Sequence, residues 1–160
     1  MLLSNQIKEI WRVEADSYYL VKHPERVKEL GEVFTPTELV LNMIEQLPDE
    51  MFEDGRTFLD PTCGNGQFLA VLAVIKRELG HAEVLSVLFG ADIMADNVLE
   101  CRERLLDICK HTDKNIAIVE RNIVCADGLT YDYIFEGSVS DGALKKKAEE
   151  QRFFSLFEKS

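Results

Sequence analysis

The sequence predicts an α/β fold built on a parallel sheet with helical crossovers, and three observations predict it. Short apolar runs recur in "TFLD", "VLFGAD" and "NIVCAD", each closing on an aspartate. Between them lie stretches with apolar residues at helical spacing, long enough to carry the chain from one strand to the next. A glycine turn, "CGNG", separates the first run from the helix after it. Strands and helices that alternate in this way make parallel sheets, because a parallel connection needs a crossover.

Taken in order, residues 5 to 20 carry Ile7, Ile10, Trp11, Glu14 and Tyr18 near helical spacing, which predicts a helical N-terminal segment. "HPERVKELG" predicts a short helix, with Pro24 in its first turn and Gly31 as its stop. In "FTPTELVLNMIEQLP", Thr35 is the expected cap, Pro36 the first helical residue and Glu38 the partner that completes a capping box. Leu39, Val40, Met43, Ile44 and Leu47 then form one apolar stripe.

"TFLD" is expected to be a buried strand, and "QFLAVLAVIKRELG" a helix stopped by Gly80. A second strand is expected over Val87 to Ala91, a helix over Ala95 to Cys109, and a third strand in "NIVCADG" ending near Asp127. "LTYDYIF" fits either a strand or an ordered loop. The last stretch, "DGALKKKAEEQRFFSLFEKS", reads as a charged helical tail whose Phe153, Phe154 and Phe157 need cover from the core or from a partner. The expected organisation is a helical segment over 1–30, one α/β domain over 31–135 and the charged tail over 136–160.

Composition bounds the function. With 160 residues, 46% of them hydrophobic and 29% charged, the chain has enough for one core and not for two. No apolar run reaches the roughly 18 residues of a membrane span, and "MLLSNQIKEIWR" lacks the basic start and long apolar stretch of a secretory signal. The expected location is the cytoplasm. Cys63, Cys101, Cys109 and Cys125 form no Cys-x-x-Cys pair, and His23, His81 and His111 are not spaced as ligands, so free thiols and no metal are expected. A net charge of −11 argues against a large nucleic-acid footprint, which depends on clustered Lys and Arg.

Open parallel sheets bind ligands at the carboxyl ends of their strands, where Asp60, Asp92 and Asp127 are all expected to lie. Each alone is also at home as a helix cap or turn former. Their succession, with a glycine turn after the first, favours a site. Gly64 and Gly66 allow close backbone approach, and the helix start beyond them offers free N–H donors. The turn is not a phosphate P-loop, since no Gly-Lys-Ser/Thr follows, and it misses the dinucleotide fingerprint because Leu69 stands where the third small residue belongs.

An acid at the second strand end suits a ribose, since one carboxylate can accept from both the 2′ and 3′ hydroxyls. Asp92 is so placed, Ile93 is suited to an adenine face, and Asp127 to the adenine exocyclic amine. The ligand sketched is an adenosine with a charged, amino-acid-like extension over the glycine turn.

These residues resemble the adenine-specific DNA methyltransferases of the amino class. "GEVFTP" is similar to that family's Phe-Thr-Pro element, "DPTCGNGQFL" to its first cofactor motif, "GADI" to its second and "NIVCADGL" to its third, in the same order over residues 31 to 130. The resemblance implies a Rossmann-like methyltransferase fold and S-adenosyl-L-methionine (SAM) as cofactor. It also implies roles: Thr35 at the cofactor carboxylate with Phe34 packed nearby, Asp60, Gly64 and Gly66 around the methionine part, Asp92 at the ribose, and Ile93 with Asp127 at the adenine. DNA is the partner it implies.

The family's catalytic motif, a polar residue followed by Pro-Pro and an aromatic, is absent. Pro24, Pro36, Pro48 and Pro61 are never adjacent, and "YDYIFEGS" offers Glu136, Gly137 and Ser138 where the motif's groups would fall. Only 33 residues follow Asp127, too few for the rest of such a sheet and a target-reading domain. The expectation is an incomplete SAM-binding half with no catalytic residue of its own. The alternative is a non-catalytic interaction or regulatory protein whose acidic surface and Phe-bearing tail engage a protein partner or a second copy. A nicotinamide-binding domain is the weaker third reading.

Overall fold

The computed structural model describes residue 9 and residues 24–157. Apart from Glu9, the helix expected over residues 5 to 20 lies outside the described residues, as do the side chains of Phe154 and Phe157. Helix α1, Pro24–Leu30, closes where Gly31 turns at φ +66, and the N–H groups of Gly31 and Glu32 bond back to Val27 and Arg26. That Gly31 stop is the one the sequence predicts.

Helix α2, Thr37–Ile44, starts one residue later than expected. Pro36 sits at the cap position in extended geometry (φ −59, ψ 143), where no side chain caps the helix. The φ that the proline ring imposes suits helix and extended backbone alike; with Pro36 itself extended, the helical bonds start from its carbonyl, which accepts the Val40 N–H at 3.0 Å. The buried face moves accordingly to Val40, Leu41 and Ile44, while Leu39 and Met43 are half exposed.

After a short 3₁₀ turn at Asp49–Phe52 comes β1, Phe58–Asp60, then α3, Gln67–Glu78. Every residue of α3 from Leu69 to Lys76 is buried, and the helix ends at Gly80 with φ +80. A second 3₁₀ turn, Val84–Val87, takes the first residue expected in strand β2, which runs Leu88–Asp92. Helix α4 spans Ala95–Cys109 as predicted. Helix α5, Asp113–Asn122, was not foreseen; Thr112 caps it by accepting the Asn115 N–H at 3.1 Å. Strand β3 is Ile123–Cys125, and helix α6 covers Asp141–Phe157.

Among the described residues the sheet has three parallel strands in the order β1-β2-β3, with Phe58 beside Leu88 and Gly90 beside Ile123. Both crossovers step the same way across the sheet, so the right-handed rule puts α3 and α4 on one face, where they pack on each other. Leu69 closes onto Gly90 there: a Cβ on that glycine would lie 2.9 Å from the leucine side chain. Leu59 and Phe89, paired across the sheet, point to the opposite face.

That face carries no helix of the α3–α4 layer. Its cover is the loop after β3, where the Phe135 ring packs at a tilt against Phe89, centroids 4.8 Å apart, and Tyr131 and Tyr133 pack edge to face at 5.1 Å. Between strand and loop, "LTYDYIF" is therefore a loop. It turns through the left-handed region at Tyr133 (φ 57) and Phe135 (φ 48), and the Phe135 N–H donates to the Tyr131 hydroxyl at 3.0 Å. Strand β1 is an edge strand, and Leu59 is 48% exposed, so the expectation of a fully buried first strand is corrected. Among the described residues β1 has one strand neighbour and no helix over its second face, so they leave Leu59 uncovered.

Helix α6 docks along α4. Its Leu144 belongs to the core at 2% exposure. Asp141 at its start accepts from Arg102 at 2.8 Å, and Arg102 is itself fully buried, donating to the carbonyls of Glu120, Ile123 and Val139.

Candidate functional site

The turn after β1 is built from Cys63 to Gly66. Gly64 (φ +52) and Gly66 (φ +87) occupy the left-handed region, which side chains disfavour. Space excludes a side chain as well: a Cβ on Gly64 would approach the Phe34 ring to 3.1 Å, and one on Gly66 would approach the Cys101 sulfur to 2.7 Å. Phe34 is buried at 6% exposure against this turn. Thr35 stands beside it, half buried.

Asp92, at the end of β2, reaches back to that turn. Its Oδ2 accepts the Gly64 N–H at 3.0 Å; its Oδ1 accepts the Met94 N–H at 2.9 Å and Asn97 Nδ2 at 3.2 Å. The Cys63 N–H donates to the Ala91 carbonyl at 2.8 Å, so the first two strand ends are stitched together twice. Asp60 holds the Thr62 N–H at 3.2 Å through one oxygen, and its other oxygen has no protein partner among the described residues.

Burial raises the affinity of Asp60 for its proton; the Thr62 bond opposes this, and the nearby Asp92 charge adds to it. Burial likewise raises Asp92, against the bonds from Met94, Asn97 and Gly64, and the charge of Glu32 raises it further. The rim is thus short of positive charge and of hydroxyl donors. A ligand that brings either relieves it.

The third strand end joins the rim through Gly128, where a Cβ would lie 2.2 Å from the Pro61 carbonyl oxygen. Asp127 is exposed, with its Oδ1 on the Leu129 N–H at 2.9 Å. Ile93 is 51% exposed. The sequence-predicted residues fall into a contacting set, Phe34, Gly64, Gly66 and Asp92, with Asp60 beside it; Ile93 and Asp127 stand at the open side, and Thr35 next to Phe34.

Two residues went unread in the sequence. Glu32 Oε2 accepts from Asn97 at 2.9 Å and from Arg26 at 2.6 Å, which places a second acid behind Asp92. Arg26 also spans Asp96, with bonds of 2.8 and 3.2 Å, so α1 is clamped to the start of α4. Their signal was the acid inside the quoted "GEVFTP" and an arginine six residues before it. Beside the rim, a groove of about 300 Å³ opens along the free edge of β1, lined by Met43, Leu47, Phe58, Leu59, Phe68 and Asp60 among others. The metal-ligand type side chains that cluster among the described residues, Glu103, Asp107 and His111, are all exposed and lie at the other end of α4 from the rim.

A parallel sheet with its glycine turn after the first strand and acids at the strand ends defines a partial Rossmann-like methyltransferase fold. The model of the N-6 DNA Methylase family matches residues 15–136. The chain belongs to that family. The Type II methyltransferase M.VspI of Vibrio sp. (strain 343) is 30% identical over 129 residues, which cover 79% of this chain and 29% of that protein. The chain therefore spans under a third of the length of this curated relative. No solved structure matches it.

Proposed function

We propose that this chain is the SAM-binding part of a DNA adenine N6-methyltransferase, and that methyl transfer requires a Pro-Pro-aromatic segment which this sequence does not contain. The observation that carries the reading is the bond between Asp92 and Gly64, which joins an acidic strand end to a glycine turn. The donor and acceptor set fits the cofactor. Asp92, with three N–H bonds already on its two oxygens, keeps one acceptor site on Oδ2 for a ribose hydroxyl, Gly64 and Gly66 leave the backbone bare, and the first turn of α3 presents N–H groups to a carboxylate.

When bound, SAM would supply an electrophilic methyl group. The chain's own part is to bind and orient: Asp92 takes the ribose, Ile93 and Asp127 flank the adenine, Asp60 faces the cationic end, and Phe34 shapes the turn beside Thr35. The proton acceptors that an adenine amine needs would come from the added segment. The open edge of β1, with its exposed Leu59 and adjoining groove, is where a further strand would extend the sheet.

Isothermal titration with SAM tests the reading. Saturable binding is expected, and Asp92→Ala is expected to weaken it by about 1.5–3 kcal/mol, the range for a bond to a charged group. No heat at millimolar cofactor would reject the site. A second reading, a non-catalytic interaction protein, rests on Leu129 at 96% exposure and Phe153 at 58% in a chain of charge −11. Light scattering separates the two: a self-associating chain that reverts to monomer on Leu129→Glu with Phe153→Glu, and binds no SAM, supports the second.

A further inference from the structure

The C-terminal helix reaches the same rim. Gln151 of α6, half buried, straddles the link between β2 and α4: its Nε2 donates to the Ile93 carbonyl at 2.9 Å, and its Oε1 accepts the Ala95 N–H at 2.9 Å. The Ala95 N–H is one of the donors that the start of a helix leaves unsatisfied, and Met94 at the cap position has no side-chain acceptor to offer. A side chain 56 residues away supplies it. Only Ile93 and Met94 separate the strand from the helix, so the one amide fixes the backbone on both sides of that link.

The clamp is itself anchored. Ten residues earlier Asp141 is tied to the buried Arg102, and Leu144 is packed in the core, so α6 cannot slide along α4 without breaking either. Cys125 at the end of β3 adds a weak bond to the same Ile93 carbonyl at 3.5 Å. Asp92 and Ile93 are the residues assigned above to the ribose and adenine.

We infer that Gln151 is a positioning residue for the adenosyl subsite, holding Ile93 and the Asp92 carboxylate in the geometry that accepts the nucleoside. The inference rests on the SAM-binding reading. It makes the last helix part of the ligand site and no longer only a charged tail.

The test uses the full chain with Gln151→Ala, Gln151→Glu and, as a control on the same helix, Glu149→Ala. Two quantities are measured well below the melting temperature: SAM affinity by titration, and amide hydrogen exchange at Ala95. Gln151→Ala is expected to weaken SAM binding about five- to tenfold, the effect of one hydrogen bond of about 1 kcal/mol, and to speed Ala95 exchange. Gln151→Glu keeps the acceptor, so Ala95 protection should be restored, while loss of the donor to Ile93 leaves SAM affinity between wild type and Ala. Glu149→Ala should change neither. Unchanged affinity in Gln151→Ala overturns the positioning role, even if exchange quickens. A wild-type chain that binds no SAM, with exchange at Ala95 still responding to Gln151→Ala, sinks the cofactor reading and the positioning role with it, and is distinguished from failure of the clamp by that exchange.

Discussion

Asp92 Oδ2 lies 3.0 Å from the Gly64 N–H, across 28 residues of sequence, and this bond joins the ends of two adjacent strands into one rim. The carboxylate belongs to β2 and the N–H to the turn after β1. Neither could hold its place alone, since the turn is short of side chains and the acid is largely buried. The consequences below follow from that joint.

Because burial raises Asp92, the native state takes up its proton at a higher pH than the unfolded chain does. The sign follows directly. As pH falls through the raised native value, protonation favours the folded state, and the gain is complete below the ordinary value of 3.8. Asp92→Asn removes that proton, so the melting temperature of the variant should gain less than that of wild type on mild acidification. SAM affinity of wild type should fall over the same window, because a protonated acid accepts hydroxyl bonds poorly. Thermal melts and titrations across weakly acidic pH measure both; parallel melting curves for wild type and Asn would overturn the assignment.

Gly66→Ala should be destabilising for two separable reasons. The left-handed backbone costs an L-residue about 1–2 kcal/mol, and the new methyl meets the Cys101 sulfur at 2.7 Å. Adding Cys101→Ala removes the sulfur but leaves Cys101's Cβ position at 3.3 Å, so the double variant should recover the contact part of the loss and none of the backbone part. Denaturant unfolding of the four proteins gives the coupling. Strict additivity would mean the turn moves away from α4 in the variant.

Arg102→Met tests the anchor of α6. Arg102 is fully buried and donates to Ile123, Glu120 and Val139 carbonyls and to Asp141. Methionine fills the stem and leaves those acceptors without donors, so a loss of about 3–5 kcal/mol is expected. Protease cleavage within α6 should appear before global unfolding. A variant as stable as wild type, with α6 still protected, would show that Leu144 and Gln151 hold the helix without Arg102.

How much of this was legible follows from where the information lies. Asp60, Asp92, Gly64 and Gly66 were readable because a strand end and a left-handed turn each restrict residue type locally. Helix α5 was not, because it is short and runs from Asn122 straight into β3 at Ile123 with no glycine or proline to mark the change; Thr112 was its one clear mark. The open face at Leu59 depends on what lies beside β1 in three dimensions, which no local pattern records. Arg102 and Lys76 are charged residues on helices, normally solvated, and both are buried through carbonyl bonds made by distant segments. Gln151 was hidden for the same reason.

The isolated chain is expected to bind DNA weakly and to transfer no methyl group to it. With 18 Lys and Arg against 29 Asp and Glu, it has no net positive charge to release counterions from a duplex. The adenine amine is a poor nucleophile whose protons need two nearby acceptors while its ring is stacked outside the helix. The loop that stands where such groups would fall uses its aromatic rings differently: Phe135 packs on Phe89, and Tyr133 donates to the Gly128 carbonyl. Glu136, Gly137 and Ser138 are exposed beyond it and offer no Pro-Pro-aromatic arrangement. Radiolabel transfer from SAM to adenine-containing DNA should therefore be at background for the chain alone. It should rise when a polypeptide bearing the motif is supplied, and Leu59→Lys, on the face beside the open edge, should lower that gain without altering SAM affinity. Transfer by the chain alone would mean that another group in this loop accepts the amine protons.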